Sequence, residues 1–316
     1  MYANFHRPHS ALIPHRILGS TETEVSIIGL GGYHLGTIGS KREAVRIVQA
    51  AVEEGITFLD NAWEYHDGES ERLMGNALAA GGLRDQAFLM TKCCTHGRGK
   101  DAAFRQLHES LRRLKTDHLD LWQIHEVVYE NDPERHFAKD GAVEALAEAK
   151  RQGKVRFVGF TGHKDPHIHL KMLKHGFPFD TCQLPLNCFD ATFRSFERLV
   201  LPELLVRGIA PLGMKAICGE GIPARKRAVK ATDALRYAMS LPVATTITGI
   251  DSMRVLRQNV AVAREFKPLA EADMEALRRQ SAPLAADGRF ELYKTTAKHE
   301  GPVGRREHGF PVELEA

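Results

Sequence analysis

Short apolar runs alternate with longer amphipathic stretches along most of the chain. Residues 56–59, 87–91 and 119–124 are compact runs dominated by Ile, Leu, Phe, Met and Trp. Such runs read as strands buried on both faces. Between them, apolar residues recur every three to four positions, the spacing of a helix with one buried face. After an N-terminal hairpin, the pattern predicts strands at 25–30, 155–160, 181–184, 209–212 and 245–248, and three more ending at Asp60, Lys92 and His125. Helices are predicted at 41–54, from Ser70 onward, and at 100–114, 142–151, 166–174, 199–207 and 225–239. Ser40 caps the first of these and Gly55 stops it; Ser252 caps a last one reaching about residue 266. Eight strand–helix units point to α/β architecture closed as a (β/α)8 TIM barrel. An open doubly wound sheet would need a Gly-x-Gly-x-x-Gly turn after the first strand. The segment Gly29-Leu30-Gly31-Gly32-Tyr33-His34 lacks that spacing.

A chain of 316 residues fits such a barrel as a single domain, with the barrel at about 16–266 and a helix and tail at about 267–316. The tail is rich in Gly, Arg and His, and two readings stay open: an unfolded extension, or a cover over the barrel mouth. A hydrophobic fraction of 43% and a charged fraction of 26% are those of an ordinary globular protein. The net charge of +3 gives no basis for nucleic acid or an anionic membrane as partner. With no apolar run of spanning length and no signal-peptide core, the expected location is cytoplasmic. Five cysteines do not form a disulfide framework, and Cys93-Cys94 reads as two small side chains at a strand end.

Candidate chemistry gathers at three strand ends. Asp60, Lys92 and His125 each close an apolar strand, and Tyr65 follows Asp60 by one short loop. In a parallel barrel the strand C-termini converge on one mouth, and ionisable groups there are costly unless paired. A free tyrosine has a pKa of about 10, and an ammonium nearby favours its phenolate. The reading is therefore Tyr65 as acid/base, Lys92 as its tuner, Asp60 as the anchor of Lys92 and His125 as the group that orients a substrate oxygen. None of these supplies a hydride, which implies a nicotinamide. A metal site is the sharper reading of His163, His167 and His169, but His167 and His169 lie two apart in a helical stretch and face different ways. No metal is expected.

The segment Asp60-Asn61-Ala62-Trp63-Glu64-Tyr65, continuing through Gly68-Glu69-Ser70-Glu71 to Met74-Gly75, resembles the first signature of the aldo-keto reductases. Thr91-Lys92-Cys93 and Asp120-Leu121-Trp122-Gln123-Ile124-His125 resemble its lysine and histidine strands. The resemblance runs from about Arg16 to about Phe266 and implies an NAD(P)H-dependent reductase of aldehydes or ketones. It implies cofactor contacts at Gly32, Tyr33, Asp60, Thr161, Gln183, Met214, Lys215, Gly219, Gly249, Ser252, Gln258 and Asn259. Thr161-Gly162 stands where the family usually has Ser-Asn, and Met214-Lys215 marks a branch lacking the stacking aromatic. No cysteine follows Cys218, so the iron–sulfur extension of some relatives is not expected here. The lysine common after strand eight is missing too, leaving Arg254 or Arg257 to read the 2′-phosphate of NADP, the favoured cofactor. The substrate, a small carbonyl compound, is expected among Tyr33, His34, Trp63, Glu64, Glu126 and Val127. Two rivals are a nucleotide-sensing subunit with little turnover and a metal-dependent hydrolase on the same barrel.

Overall fold

The structure is a computed structural model describing residues 12–94, 99–297, Glu300 and Arg306. Two short antiparallel strands, β1 (His15–Ile17) and β2 (Glu24–Ser26), form a hairpin. Eight parallel strands then close a barrel: β3 (Ile28–Gly31), β4 (Phe58–Asp60), β5 (Phe88–Cys93), β6 (Leu119–Ile124), β7 (Val155–Thr161), β8 (Thr181–Pro185), β9 (Ala210–Met214) and β10 (Thr245–Gly249). The predicted (β/α)8 fold with its hairpin is borne out. One boundary moves: the run 25–30 is split, because Val25 and Ser26 belong to the hairpin and the barrel strand starts at Ile28. The hydroxyl of Ser26 is the reason. It accepts from the amides of Thr57 and Phe58 and donates to the carbonyl of Ile28, which diverts the backbone from the ladder.

The barrel interior holds Phe58, Phe88, Met90, Leu121, Leu212 and Ile247, and the hairpin inserts Leu18 and Val25 beneath them. Phe58 and Phe88 stack at 5.1 Å. The floor is therefore apolar, and each buried Leu or Phe there contributes about 1.5–3 kcal/mol. Arg16 ties the hairpin down by donating to the carbonyls of Met239 and Val243, both at 2.8 Å. A second, larger apolar layer lies between barrel and helices.

Helices Lys100–Leu114, Ala142–Arg151 and Pro166–Lys174 match the predicted bounds, and Ser40 and Ser252 cap their helices as predicted. The stretches 199–207 and 225–239 are each interrupted. Val200 separates Phe196–Leu199 from Leu201–Val206, and a turn separates Ile222–Arg225 from Ala231–Ser240. The late helix spans Glu271–Ala285, inside the predicted helix and tail. None of the described helices is long and apolar enough to cross a membrane.

Candidate active site

The register of the barrel sets the site. Gly31 pairs with Asp60, Lys92 with Gln123 and Thr161 with Gln183, so these residues share the C-terminal rim. Beyond Asp60 the chain keeps pairing with β5. Asn61 donates its amide to the carbonyl of Met90, and Trp63 donates to that of Lys92, each at 3.1 Å. Tyr65 then starts a short 3₁₀ turn, Tyr65–Gly68, which turns its ring back over the rim.

Lys92 is 1% exposed and donates to the Asp60 carboxylate and, at 2.7 Å, to the carbonyl of Asn61. The second oxygen of Asp60 accepts from Gln183 Nε2 at 2.8 Å. Lys92 Nζ lies 5.1 Å from the centre of the Tyr65 ring, and that ring meets His125 edge-on at 5.5 Å. The four expected residues are thus brought together. The electrostatics differ from the expected tuning of Tyr65 toward phenolate. Burial pushes the Tyr65 hydroxyl well above its ordinary value, and the carboxylates of Asp60, Glu126 and Glu64 push it further in the same direction. The resting group is a protonated phenol, suited to donate.

Glu64 and Glu126 flank His125. Glu64 Oε1 lies 2.5 Å from His125 Nδ1, while its Oε2 accepts from the thiol of Cys94 at 2.9 Å. Glu126, held at φ 56°, puts Oε1 4.0 Å from His125 Nε2. Burial holds the His125 imidazole below its ordinary value, against the pull of Glu64. Burial, with repulsion from Glu64, raises the Glu126 carboxyl well above the ordinary range.

Other expected rim residues divide. Tyr33 is 53% exposed and meets Tyr65 edge-on at 5.4 Å, so it stands at the mouth. His34 lies against β10, where a Cβ on Gly249 would strike its ring. The Trp63 indole is turned outward: its N–H donates to Glu109 at 2.7 Å, and Arg113 covers its ring. Val127 is fully buried in the outer core, packed against Gly162. Trp63 and Val127 therefore brace the rim rather than line it. Gly32 is needed for packing, since a Cβ there would meet the backbone of Asp60 and the side chain of Asn61.

On the opposite rim, Gln183 Oε1 is buried with no hydrogen-bond partner among the described residues, beside the Met214 sulfur, which lies 3.7 Å from Gln183 Nε2. Thr161 is buried next to it in β7. Lys215 has φ 56° and stacks over Tyr293 at 5.1 Å, with Gly219 at φ 73° in the loop beyond. Ser252 accepts from the amide of Val255, and Arg254 is exposed in that first turn, with no described acidic group in ion-pair range. Asn259 is buried and Gln258 half-buried one helical turn on. Arg257 faces elsewhere, into a groove shared with Arg46, Glu53 and Arg264 on the outside of the barrel.

The comparisons with known proteins now decide the family. The sequence matches the Aldo/keto reductase family over residues 27–227. The chain belongs to the aldo/keto reductase family. L-galactose dehydrogenase of Arabidopsis thaliana is 28% identical over 304 residues, 85% of this chain and 93% of its own length. Aldo-keto reductase YhdN of Bacillus subtilis is 28% identical over 214 residues, 64% of this chain and 61% of its own. The solved structure of the aldo-keto reductase AKR11C1 from Bacillus halodurans superposes with a TM-score of 0.71 at 24% identity, covering 85% of this chain and 96% of that one. The expected family and the oxidoreductase class it carries are borne out.

Two groups were not legible in advance. Cys94 reaches Glu64 only because β5 ends beside the loop after β4. The C-terminal segment is folded: Lys294 is fully buried and pairs with Asp190 at 2.6 Å and Glu291 at 2.9 Å. Tyr293 donates to Glu291 at 2.6 Å, and Asn187 bonds both of them and the carbonyl of Lys215. Lys164 holds the carbonyl of Thr296 and the carboxylate of Glu300. Of the two readings of the tail, residues 291–297 follow the folded one, strapped over the loops after β7, β8 and β9.

Proposed function

We propose that this protein is an NADP(H)-dependent oxidoreductase that reduces an aldehyde or ketone, with Tyr65 as the general acid. The observation that carries the reading is the buried Lys92–Asp60 pair beside a protonated Tyr65. When bound, the cofactor supplies the hydride that the protein's own side chains cannot. The rim fits a nicotinamide, because the orphaned Gln183 Oε1 is a buried acceptor that a carboxamide N–H would satisfy. Thr161, Met214 and Asn259 extend that surface, Lys215 and Gly219 suit a pyrophosphate, and Ser252 with Arg254 suits a 2′-phosphate at a helix N-terminus.

In reduction, Tyr65 donates its phenolic proton to the carbonyl oxygen as the carbonyl carbon gains hydride. The phenolate left behind is stabilised by Lys92, whose own charge is balanced by Asp60. His125 and Tyr33 fix the substrate oxygen and body. A site of this kind needs no metal. The discriminating test is steady-state oxidation of NADPH, and separately NADH, against a panel of aldehydes and ketones, before and after exhaustive chelation. The reading expects NADPH-linked reduction unaffected by chelation; no turnover with any carbonyl would favour the nucleotide-sensing rival, and loss on chelation would favour metal-dependent chemistry.

A further inference from the structure

Lys215 follows β9 directly at the C-terminal rim, and its ammonium lies 5.1 Å from the centre of the Tyr293 ring. Among the described residues that ammonium has neither a hydrogen bond nor an ion pair. The charges that act on it are Glu126, Lys92 and Asp60, and the last two are already bonded to one another. A lysine stem is flexible and loses rotamer freedom when fixed in one place. Here the backbone is fixed first. Lys215 sits in the left-handed region at φ 56°, and its carbonyl accepts from the amide of Cys218 at 2.9 Å and from Asn187 Nδ2 at 3.3 Å. Asn187 is fully buried, and its Oδ1 also receives the Cys218 thiol at 3.5 Å, so one side chain spans the turn 215–218. The Tyr293 ring is fixed next. Its hydroxyl donates to Glu291 at 2.6 Å and accepts from Asn187 at 3.2 Å, leaving the side chain 1% exposed. Lys294 anchors the same segment to Asp190 and Glu291. A Cβ on Gly219 would stand 3.7 Å from the Tyr293 ring, so the ring supports the loop beyond Lys215 as well.

We infer that Tyr293 is a positioning residue of the cofactor site: its ring holds the Lys215 ammonium ready for the pyrophosphate of a nicotinamide dinucleotide, which makes residues 291–297 a working part of cofactor binding. The inference rests on the reading of Lys215 and Gly219 as pyrophosphate contacts. An aromatic face attracts an ammonium while leaving most of its hydrogens free, whereas a carboxylate partner would occupy them and compete with the incoming anion. A cation already in place loses less freedom when the anion arrives, and that saving appears as affinity. The pyrophosphate is common to NADPH and NADH, so Tyr293 serves both alike. Arg254, by contrast, concerns the 2′-phosphate alone.

The test is a double-mutant cycle on Tyr293 and Lys215, read as dissociation constants for NADPH and NADH by calorimetric titration. Tyr293→Leu should weaken both cofactors about fivefold, the scale of one cation–π contact, while Tyr293→Phe keeps the ring and should stay within about twofold of wild type. Lys215→Met should weaken both by about tenfold or more, the scale of a lost charged hydrogen bond. In the Lys215→Met background, Tyr293→Leu should add less than about twofold, since the group it acts through is gone. Losses that multiply instead would show that Tyr293 serves overall packing, and the inference would be wrong. A loss confined to NADPH would overturn it too. Hydrogen exchange on the wild type covers the case in which Tyr293→Leu does not fold. NADPH should slow amide exchange in residues 291–297, and Lys215→Met should abolish that protection. Exchange there that ignores bound NADPH, or protection that survives Lys215→Met, overturns the inference. Failure of the functional reading looks different: wild type binds neither NADPH nor NADH, and this inference falls with it.

Discussion

Among the described residues two lysines are buried with almost no exposure, and they do opposite things with their charge. Lys294, in the C-terminal segment, donates to Asp190, to Glu291 and to the carbonyl of Phe193, which uses all three of its hydrogens. Lys92, at the end of β5, donates to Asp60 and to the carbonyl of Asn61, and among the described residues no acceptor takes its third. Its Nζ lies near the Tyr65 ring instead. A buried ammonium is tolerated when its desolvation is offset by pairing. Saturated, it is a clamp; left one bond short beside a titratable group, it becomes a reagent's neighbour.

The comparison breaks most visibly at Lys294. Lys294→Met leaves Asp190 and Glu291 buried without their cation, and a loss of about 3–5 kcal/mol is expected. Denaturant unfolding measures it, and the folded fraction should keep near wild-type kcat. Lys92→Met should do the reverse. Asp60 retains Gln183 as a donor, so stability falls less, while turnover drops by about 10²-fold as Tyr65 loses the charge that stabilises its phenolate. If both variants lost stability and activity in the same proportion, the distinction between clamp and reagent would fail.

Smaller effects sharpen the picture at the rim. Arg254→Ala should weaken NADPH by about 1.5–3 kcal/mol, the scale of a lost charged hydrogen bond, and leave NADH nearly untouched; calorimetric titration of both cofactors decides it. Glu126→Gln tests the carboxylates around His125. Because the Glu126 carboxyl is raised in the folded chain, that chain holds its proton above about pH 4.5, where the unfolded chain has released it. Stability contributed by this group is therefore lost as pH rises through that window. Glu126→Gln should melt with wild type below about pH 4.5 and above wild type at pH 7–8, with the gap in Tm opening as pH rises.

The same two lysines show what a sequence reveals. Lys92 was legible because it closes an apolar strand, one residue past Thr91, where charge has no structural excuse. Asp60, His125 and the eight-unit alternation were legible for the same reason, since period and strand length are local. Lys294 sits among polar residues in a tail where charge is unremarkable, and its partner Asp190 is 104 positions away. Side-chain direction was also hidden. Trp63, Val127 and His34 follow strand ends as expected, yet Glu109, Gly162 and Gly249 decide which way each one faces. The close approach of Glu64 to His125 was hidden too, because adjacency to Tyr65 suggested only the rim.

The central claim is that Tyr65 delivers the proton. Single-turnover oxidation of bound NADPH by a good aldehyde substrate, compared between wild type and Tyr65→Phe at equal cofactor occupancy, measures it without interference from product release. The account predicts a rate lowered by about 10²-fold or more, with NADPH affinity nearly unchanged. A Tyr65→Phe variant that transferred hydride at close to the wild-type rate would contradict it.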